Sequence, residues 1–285
     1  MARAKKDRPI VAIMYDFDKT LSPKDMQEYG FIPQLGLTPK AFWGQSNLLA
    51  KTEKMDPILA YMYTMIRQSK SKCSPIRRED FVALGGGIAL FPGVEDWFGR
   101  INAYGKEQGI KIEHYIISSG LKEIVEGCSL HKEFQEIYAC EFHYDENGAA
   151  DWPKVAVNYT AKTQFLYRIN KGAPDISDDR VLNNYVPNDM RRVPFRNMIY
   201  IGDGMTDVPC MKLVKSNGGQ SIAVYPSGNH TIADRLLQDQ RVDFTAPANY
   251  SEGKQLDTLV KSILRKMSVV SELVSVHQQQ TSSLP

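Results

Sequence analysis

No stretch of this sequence is long and apolar enough to span a bilayer. The first apolar run, Ile10 to Tyr15, is cut off by Asp16 and Asp18, far short of the roughly 20 residues a transmembrane helix needs. A secretory leader would follow its basic start with a longer apolar stretch and a small-residue cleavage site. Here Arg3, Lys5, Lys6 and Arg8 lead directly into that short run, so the expected compartment is the cytoplasm and no membrane partner is expected. Cysteine is scarce: Cys73, Cys128, Cys140 and Cys210 are scattered without a C-x-x-C pair. That spacing suits reduced, mostly buried thiols better than zinc ligation or a disulfide framework. Charge of one sign is also lacking, since 35 Lys+Arg stand against 33 Asp+Glu for a net +2. No global field therefore favours nucleic acid or an anionic surface.

What the chain has is 285 residues, 42% of them hydrophobic, enough for one large domain or one domain carrying a second module. Residues 10–15 (IVAIMY) form a continuous, partly β-branched run that stops at acids, the pattern of a strand buried on both faces of a parallel sheet. Tyr115 to Ile117, Met198 to Ile201 and Ser221 to Tyr225 repeat it, separated by amphipathic segments with glycine punctuation. The alternation predicts an α/β fold with a mainly parallel sheet whose strand ends share one edge. Between the first two strands, Ser22-Pro23, Thr38-Pro39, Asp56-Pro57 and Ser74-Pro75 each place a capping residue before a proline. Proline lacks the donor that would be orphaned at a first helical position, so residues 22–89 read as a helical insertion. Ile58, Leu59, Met62, Met65 and Ile66 form an apolar stripe for packing against sister helices in preference to lining a substrate, and Gly85 to Gly87 a flexible return or a helix stop. Further on, Asp145-Glu146-Asn147-Gly148 predicts a hairpin turn between residues 142–144 and 155–157. A helix is expected from Thr160 to about Asn170, then a long surface loop over 173–196 lining the site entrance, and a frayed tail over 271–285.

Asp16 and Asp18, followed by Thr20, close the first strand as D-F-D-K-T. Alone, the pair could be no more than an acidic strand terminus. A second acidic cluster, Gly202-Asp203-Gly204-Met205-Thr206-Asp207, follows another buried strand and opens a helix. Carboxylates converging on one sheet edge repel without a cation, and hard oxygen donors suit Mg²⁺. A third strand end carries Ser118-Ser119-Gly120 at the start of a helix, where a hydroxyl and orphan backbone N–H groups can cradle an anion, although either serine could instead only cap that helix. A cation for a phosphate is also needed, and spacing alone leaves Lys154, Lys162 and Lys171 equivalent.

These features, in this order, resemble the haloacid dehalogenase superfamily of phosphohydrolases: D-F-D-K-T for its D-x-D-x-T, I-I-S-S-G for its strand-end Ser/Thr, Lys162 in A-K-T-Q-F-L for its lysine, and G-D-G-M-T-D for its G-D-x-x-x-D. The position of the helical insertion is similar to the C1 cap of phosphoserine phosphatase-like members. The resemblance implies a Rossmannoid core over residues 1–21 and 90–270 with a cap over 22–89. It implies Asp16 as nucleophile and Asp18 as general acid and base. Mg²⁺ is expected on Asp16, Asp18 through its backbone carbonyl, and Asp203, with Asp207 behind them orienting waters or the lysine. Ser118, Ser119, Gly120 and Lys162 would bind phosphate, Ser118 foremost. Because carbon–halogen hydrolases of the superfamily lack an aspartate at the Asp18 position, the expected reaction is Mg²⁺-dependent hydrolysis of a small phosphorylated metabolite through an aspartyl-phosphate. A nucleotidase or phosphotransferase of the same superfamily is the alternative; a non-catalytic phosphate-binding or protein-interaction module is the alternative of another class. Asp25, nine positions after Asp16, matches the residue that reads the substrate amine in phosphoserine phosphatases, though an acid there is also favoured by the helix dipole.

Overall fold

The computed structural model describes residues 8–283 apart from residue 73. Its seven strands are β1 (Ile10–Tyr15), β2 (Lys111–Leu121), β3 (Phe134–Tyr144), β4 (Ala150–Val155), β5 (Met198–Gly202), β6 (Gln220–Tyr225) and β7 (Phe244–Pro247). They form one sheet in the order β4-β3-β2-β1-β5-β6-β7. All neighbours run parallel except the β3–β4 hairpin. β1 sits at the centre because residues 11–15 are buried without exception, which only a strand covered on both faces achieves. From β1 the chain first builds β2 on one side and returns to build β5 on the other. The crevice at such a reversal is where open α/β sheets hold their ligands.

Four helices follow β1: α1 (Phe31–Gln34), α2 (Pro39–Glu53), α3 (Pro57–Ser71) and α4 (Arg78–Gly85). Two of the four capping dipeptides start a helix. Thr38 accepts from the Ala41 N–H at 3.2 Å, and Asp56 accepts from the Ile58 and Leu59 N–H groups at 2.8 and 3.2 Å, each with proline at the first helical position. Ser22-Pro23 and Ser74-Pro75 start none. Ser22 instead donates to the Tyr29 hydroxyl at 2.9 Å, and a short 3-10 turn, Met26–Glu28, follows. Of the apolar stripe on α3, Ile58, Met62, Met65 and Ile66 are buried, while Leu59 is 38% exposed.

The remaining helices are α5 (Val94–Glu107), α6 (Lys122–Glu126), α7 (Lys162–Lys171), α8 (Arg180–Asn183), α9 (Val208–Ser216), α10 (Thr231–Gln238) and α11 (Gln255–Ser282). Gly85 does not serve as a hinge. A β-carbon there would lie 2.2 Å from the Ile124 carbonyl oxygen, and one on Gly127 would lie 1.7 Å from that of Val82, so these glycines let α4 and α6 touch backbone to backbone.

Four further expectations are corrected. β2 continues through both serines to Leu121, so the serines lie in extended chain rather than at a helix start. The hairpin returns over Ala150–Val155, its turn held by Asp145 accepting from the Asn147 and Ala149 N–H groups at 2.8 and 2.9 Å. The 173–196 segment is anchored away from the strand ends. Buried Arg168 donates to the carbonyl oxygens of Asp175 and Ile176 at 2.6 and 3.3 Å and pairs with Asp179 at 2.7 Å. Residues 271–282 continue α11 as regular helix, and 284–285 lie outside the described residues. Cys128, Cys140 and Cys210 are buried free thiols. Among the described residues, no helix is long and apolar enough to cross a membrane.

The strand that delivers Asp16 is fixed from below by a buried hydrogen-bond chain. Trp97 Nε1 donates to the Tyr15 hydroxyl at 2.8 Å, that hydroxyl meets His114 Nδ1 at 3.0 Å, and His114 Nε2 meets Asn102 Oδ1 at 3.1 Å. The amide oxygen requires the proton on Nε2, which leaves Nδ1 to accept from Tyr15. Burial pushes His114 down to about 3. Unfolded histidine titrates near 6.5, so the unfolded chain binds the extra proton between these values and stability falls as pH drops through that window. Between pH 7 and pH 5 the wild type should lose about 2 kcal/mol more stability than His114→Gln, measured by urea denaturation. Equal losses would refute the neutral buried histidine.

Candidate active site

Register brings three strand ends together. Tyr15 of β1 lies beside Ile116 of β2 and Ile201 of β5, and the Asp16 N–H donates to the Ile201 carbonyl at 2.9 Å. Asp16, Ser118 and Asp203, far apart in the chain, thereby reach one cavity of about 490 Å³, together with Asp18, Ser119 and Gly120. α2 and α3 line the same cavity from the other side, through Trp43, Ser46, Ile58 and Tyr61. α3 is tied to the strand ends, since the Tyr61 hydroxyl donates to the Ser119 carbonyl at 2.7 Å and Asn158 Nδ2 donates to Asp56 at 2.9 Å.

Lys162, the first residue of α7, is fully buried between two carboxylates, 2.9 Å from Asp16 Oδ2 and 2.7 Å from Asp207 Oδ1. Burial alone would depress the ammonium; Asp16 and Asp207 outweigh it and hold Lys162 protonated. Asp207 is held by further donors: its Oδ1 also accepts from the Tyr200 hydroxyl at 2.8 Å, and its Oδ2 from the Gly204 N–H at 3.4 Å. Gly202 makes this approach possible, because a β-carbon there would lie 2.4 Å from Asp207 Oδ2. Of the two other lysines, Lys154 pairs with Glu141 at 2.7 Å and Lys171 donates to the Leu182 and Asn184 carbonyls at 2.5 and 2.6 Å. Tertiary structure thus singles out the lysine that spacing could not.

Asp16 Oδ1 accepts from the Phe17 N–H at 2.7 Å. Burial pushes its carboxyl up to about 6 against the pull of Lys162, with Asp207 adding to the rise. Asp18 is raised well above the usual carboxylate range by burial and by the charges of Asp25 and Asp16, while its Oδ1 accepts from the Met26 N–H at 2.8 Å. Asp203 is pushed up to about 8 by burial and by Asp207 and Asp16. One lysine therefore leaves this carboxylate cluster under-compensated. Carboxylate oxygens of Asp16, Asp203 and Asp207 lie within 4.8 Å of one another, a hard-oxygen set that fits a divalent cation such as Mg²⁺. Asp16 and Asp203 line the cavity while Asp207 lies behind it, so Asp16 and Asp203 are the carboxylates placed to bind it.

The serines differ. Ser118 is buried at the cavity floor and its Oγ accepts from the Gly120 N–H at 3.0 Å. Ser119 Oγ is committed to the Val157 carbonyl at 2.7 Å. Asp25 lines the cavity but pairs with Lys19 at 2.9 Å. The 173–196 segment, expected at the entrance, contributes nothing to the lining. Sequence reading missed Tyr61, Tyr200 and Trp43. Tyr61 sat inside an apolar stripe and Tyr200 inside a buried strand, and neither pattern distinguishes a hydroxyl that faces a site from one that faces the core.

Several proteins share this architecture. An uncharacterised protein of Borreliella burgdorferi is 27% identical over 276 residues, covering 87% of this chain and 94% of its own. A HAD-family hydrolase of Salmonella enterica serovar Typhi superposes with a TM-score of 0.55 at 17% identity, covering 90% of this chain and 72% of its own. A phosphoserine phosphatase captured as a phospho-aspartyl intermediate analogue superposes with a TM-score of 0.54 at 14% identity, covering 90% and 99%. At these identities the two structures share the fold. A model of the haloacid dehalogenase-like hydrolases matches residues 13–212, and with the strand order and the converging carboxylates just described, the chain belongs to the haloacid dehalogenase-like hydrolase family.

Proposed function

We propose that this protein is a Mg²⁺-dependent phosphomonoesterase acting on a small phosphorylated metabolite in the cytoplasm, with residues 22–89 as a cap over a core of 1–21 and 90–270. The observation that carries the reading is the meeting of Asp16, Asp18, Ser118 and Asp203 around one cavity, with the buried Lys162 ammonium 2.9 Å from Asp16. Mg²⁺, held by Asp16, Asp203 and the Asp18 backbone carbonyl, would neutralise charge on the phosphoryl oxygens.

The steps follow from the side chains. An Asp16 carboxylate oxygen attacks phosphorus, the bond from phosphorus to the ester oxygen breaks, and Asp18 gives its proton to the departing alkoxide. Asp18 suits that donation because its environment favours the protonated carboxyl and the Met26 N–H holds the group in place. Water then loses a proton to Asp18 and attacks the same phosphorus, releasing phosphate and restoring Asp16. Ser118, Lys162 and the neighbouring N–H groups bind the phosphoryl oxygens throughout. Lys162 also biases Asp16 towards the carboxylate that the first step needs. Tyr61, bridging α3 to the Ser119 carbonyl, supports closure of the cap over the phosphate and exclusion of bulk water.

Three outcomes test this. Asp16→Asn should reduce turnover of p-nitrophenyl phosphate by several powers of ten with the thermal transition retained; residual activity above about a tenth would exclude Asp16 as nucleophile. Asp18→Asn should cost alkyl phosphates far more than the activated aryl ester, whose leaving group needs little protonation, and equal losses would remove the general-acid role. Exhaustive chelation should abolish turnover, and added Mg²⁺ should restore it; full activity in the chelated protein would refute the metal requirement.

A further inference from the structure

Beyond its catalytic floor, the cavity is walled mainly by apolar side chains drawn from separate segments of the chain. Tyr159, in the turn before α7, Met205, in the turn after β5, and Ile232, on the first turn of α10, are 45%, 55% and 51% exposed, and all three line it. Large apolar groups exposed singly are ordinary on a protein surface, but several converging on one concave site mark a place where a ligand covers them. Ile232 lies one turn before Leu236 on the same face of α10. Leu236 is fully buried, so the helix carries its apolar face past the core and out to the cavity mouth.

The opposite wall comes from the inserted helices, through Trp43, Pro57 and Ile58. Trp43 is held in place by its Nε1 donating to Glu28 at 3.2 Å and by an edge contact with Tyr61, ring centroids 5.9 Å apart. The two walls are tied at one corner, where Asn158, next to Tyr159, donates through Nδ2 to Asp56, next to Pro57, at 2.9 Å. A volume of about 490 Å³ falls within the roughly 300 to 1,000 Å³ of sites that enclose drug-sized ligands, whose linings are apolar with a few polar groups.

These walls offer little to a charged leaving group. Among the described residues lining the cavity, the charged side chains besides Asp16, Asp18 and Asp203 are Lys19 and Asp25, and these two pair with each other at 2.9 Å. A zwitterion such as serine would have to open that pair, exchanging one partly exposed ion pair for others at little gain. A second acidic group would find Lys19 engaged and three aspartates close by. Asn47 and Thr206 supply an accessible amide and aliphatic hydroxyl, a small polar share of an apolar wall.

We propose that the alcohol released from phosphate is uncharged and carries an aromatic ring, and that Tyr159 and Ile232, with Trp43 on the opposite wall, are the specificity-determining residues. A ring placed there covers apolar surface on both walls, and aromatic pairs gain beyond the area they bury. A short alkyl group would leave the same surface wet. This proposal rests on the phosphomonoesterase reading of the same site.

The test compares benzyl phosphate, ethyl phosphate and O-phosphoserine, with p-nitrophenyl phosphate as a general phosphatase substrate. Benzyl and ethyl esters release alcohols of similar acidity, so their ratio reads recognition rather than leaving-group chemistry. The wild type should favour benzyl phosphate over both ethyl phosphate and phosphoserine at least tenfold in kcat/KM. Tyr159 and Ile232 are about half exposed, so the double variant Tyr159→Ser, Ile232→Ser should keep its thermal transition while lowering the benzyl-to-ethyl ratio at least fivefold. A merely structural role would lower both esters alike. An unchanged ratio in the double variant overturns the proposal, and so does a wild-type benzyl preference short of tenfold. If the wild type hydrolyses none of the four, the phosphomonoesterase reading fails by itself. In that case, or if p-nitrophenyl phosphate alone is turned over, calorimetric binding of benzylphosphonate and ethylphosphonate decides. Binding of the benzyl compound at least tenfold tighter, and weakened in the double variant, supports the recognition; equal affinities or no binding defeat it.

Discussion

A single buried ammonium organises the strand ends of this protein. Lys162 has no exposed surface, and a lone cation so placed would shed its proton or unfold its surroundings. It is tolerated because Asp16 and Asp207 approach it from β1 and from the turn after β5. Removing either partner from such a pair typically costs several kcal/mol, since the other charge stays behind in a poor solvent. The position of α7, the absence of a side chain at Gly202 and the hydroxyl of Tyr200 all follow from keeping this triad closed.

The same constraint separates the acids by function. Four carboxylates stand near one edge, yet their surroundings differ. Asp207 is held by Lys162 and Tyr200 on one oxygen, Asp16 shares one oxygen with Lys162 and offers the other to the Phe17 N–H, Asp18 leans on the Met26 N–H, and Asp203 takes no side-chain hydrogen bond from the described residues. Their titration is spread accordingly, from about 6 at Asp16 to about 8 at Asp203. In the proposed mechanism it is environment, rather than residue type, that would let one aspartate serve as a nucleophile and another as an acid.

The inserted helices contribute shape rather than acid–base groups. α4 grips α6 through Gly85 and Gly127 at backbone distance, while α3 reaches the phosphate-side strand through Tyr61. These two attachments place α2 and α3 opposite the strand ends, so the cavity has a catalytic floor and a polar, aromatic roof. The proposed acid–base groups and the inserted helices thereby belong to different segments of the chain.

Much of this was legible in the sequence. Apolar runs ending in acids marked the parallel strands, because a strand buried on both faces can carry no alternation. Thr38-Pro39 and Asp56-Pro57 marked two helix starts, because the cap and the proline act within one turn. D-F-D-K-T and G-D-G-M-T-D marked the site, because a cluster of carboxylates makes chemical sense only around a cation. Ser22-Pro23 and Ser74-Pro75 carry the same local signal without starting helices, β2 runs on through its serines, and three lysines were equivalent until the fold buried one of them. Tyr159 and Ile232 bore no signal of a shared cavity. Local interactions span a few residues and are written in the order of the chain. Which lysine is enclosed, which serine is spent on a carbonyl and which apolar side chains share a cavity depend on segments a hundred residues away, and only the packed structure decides them.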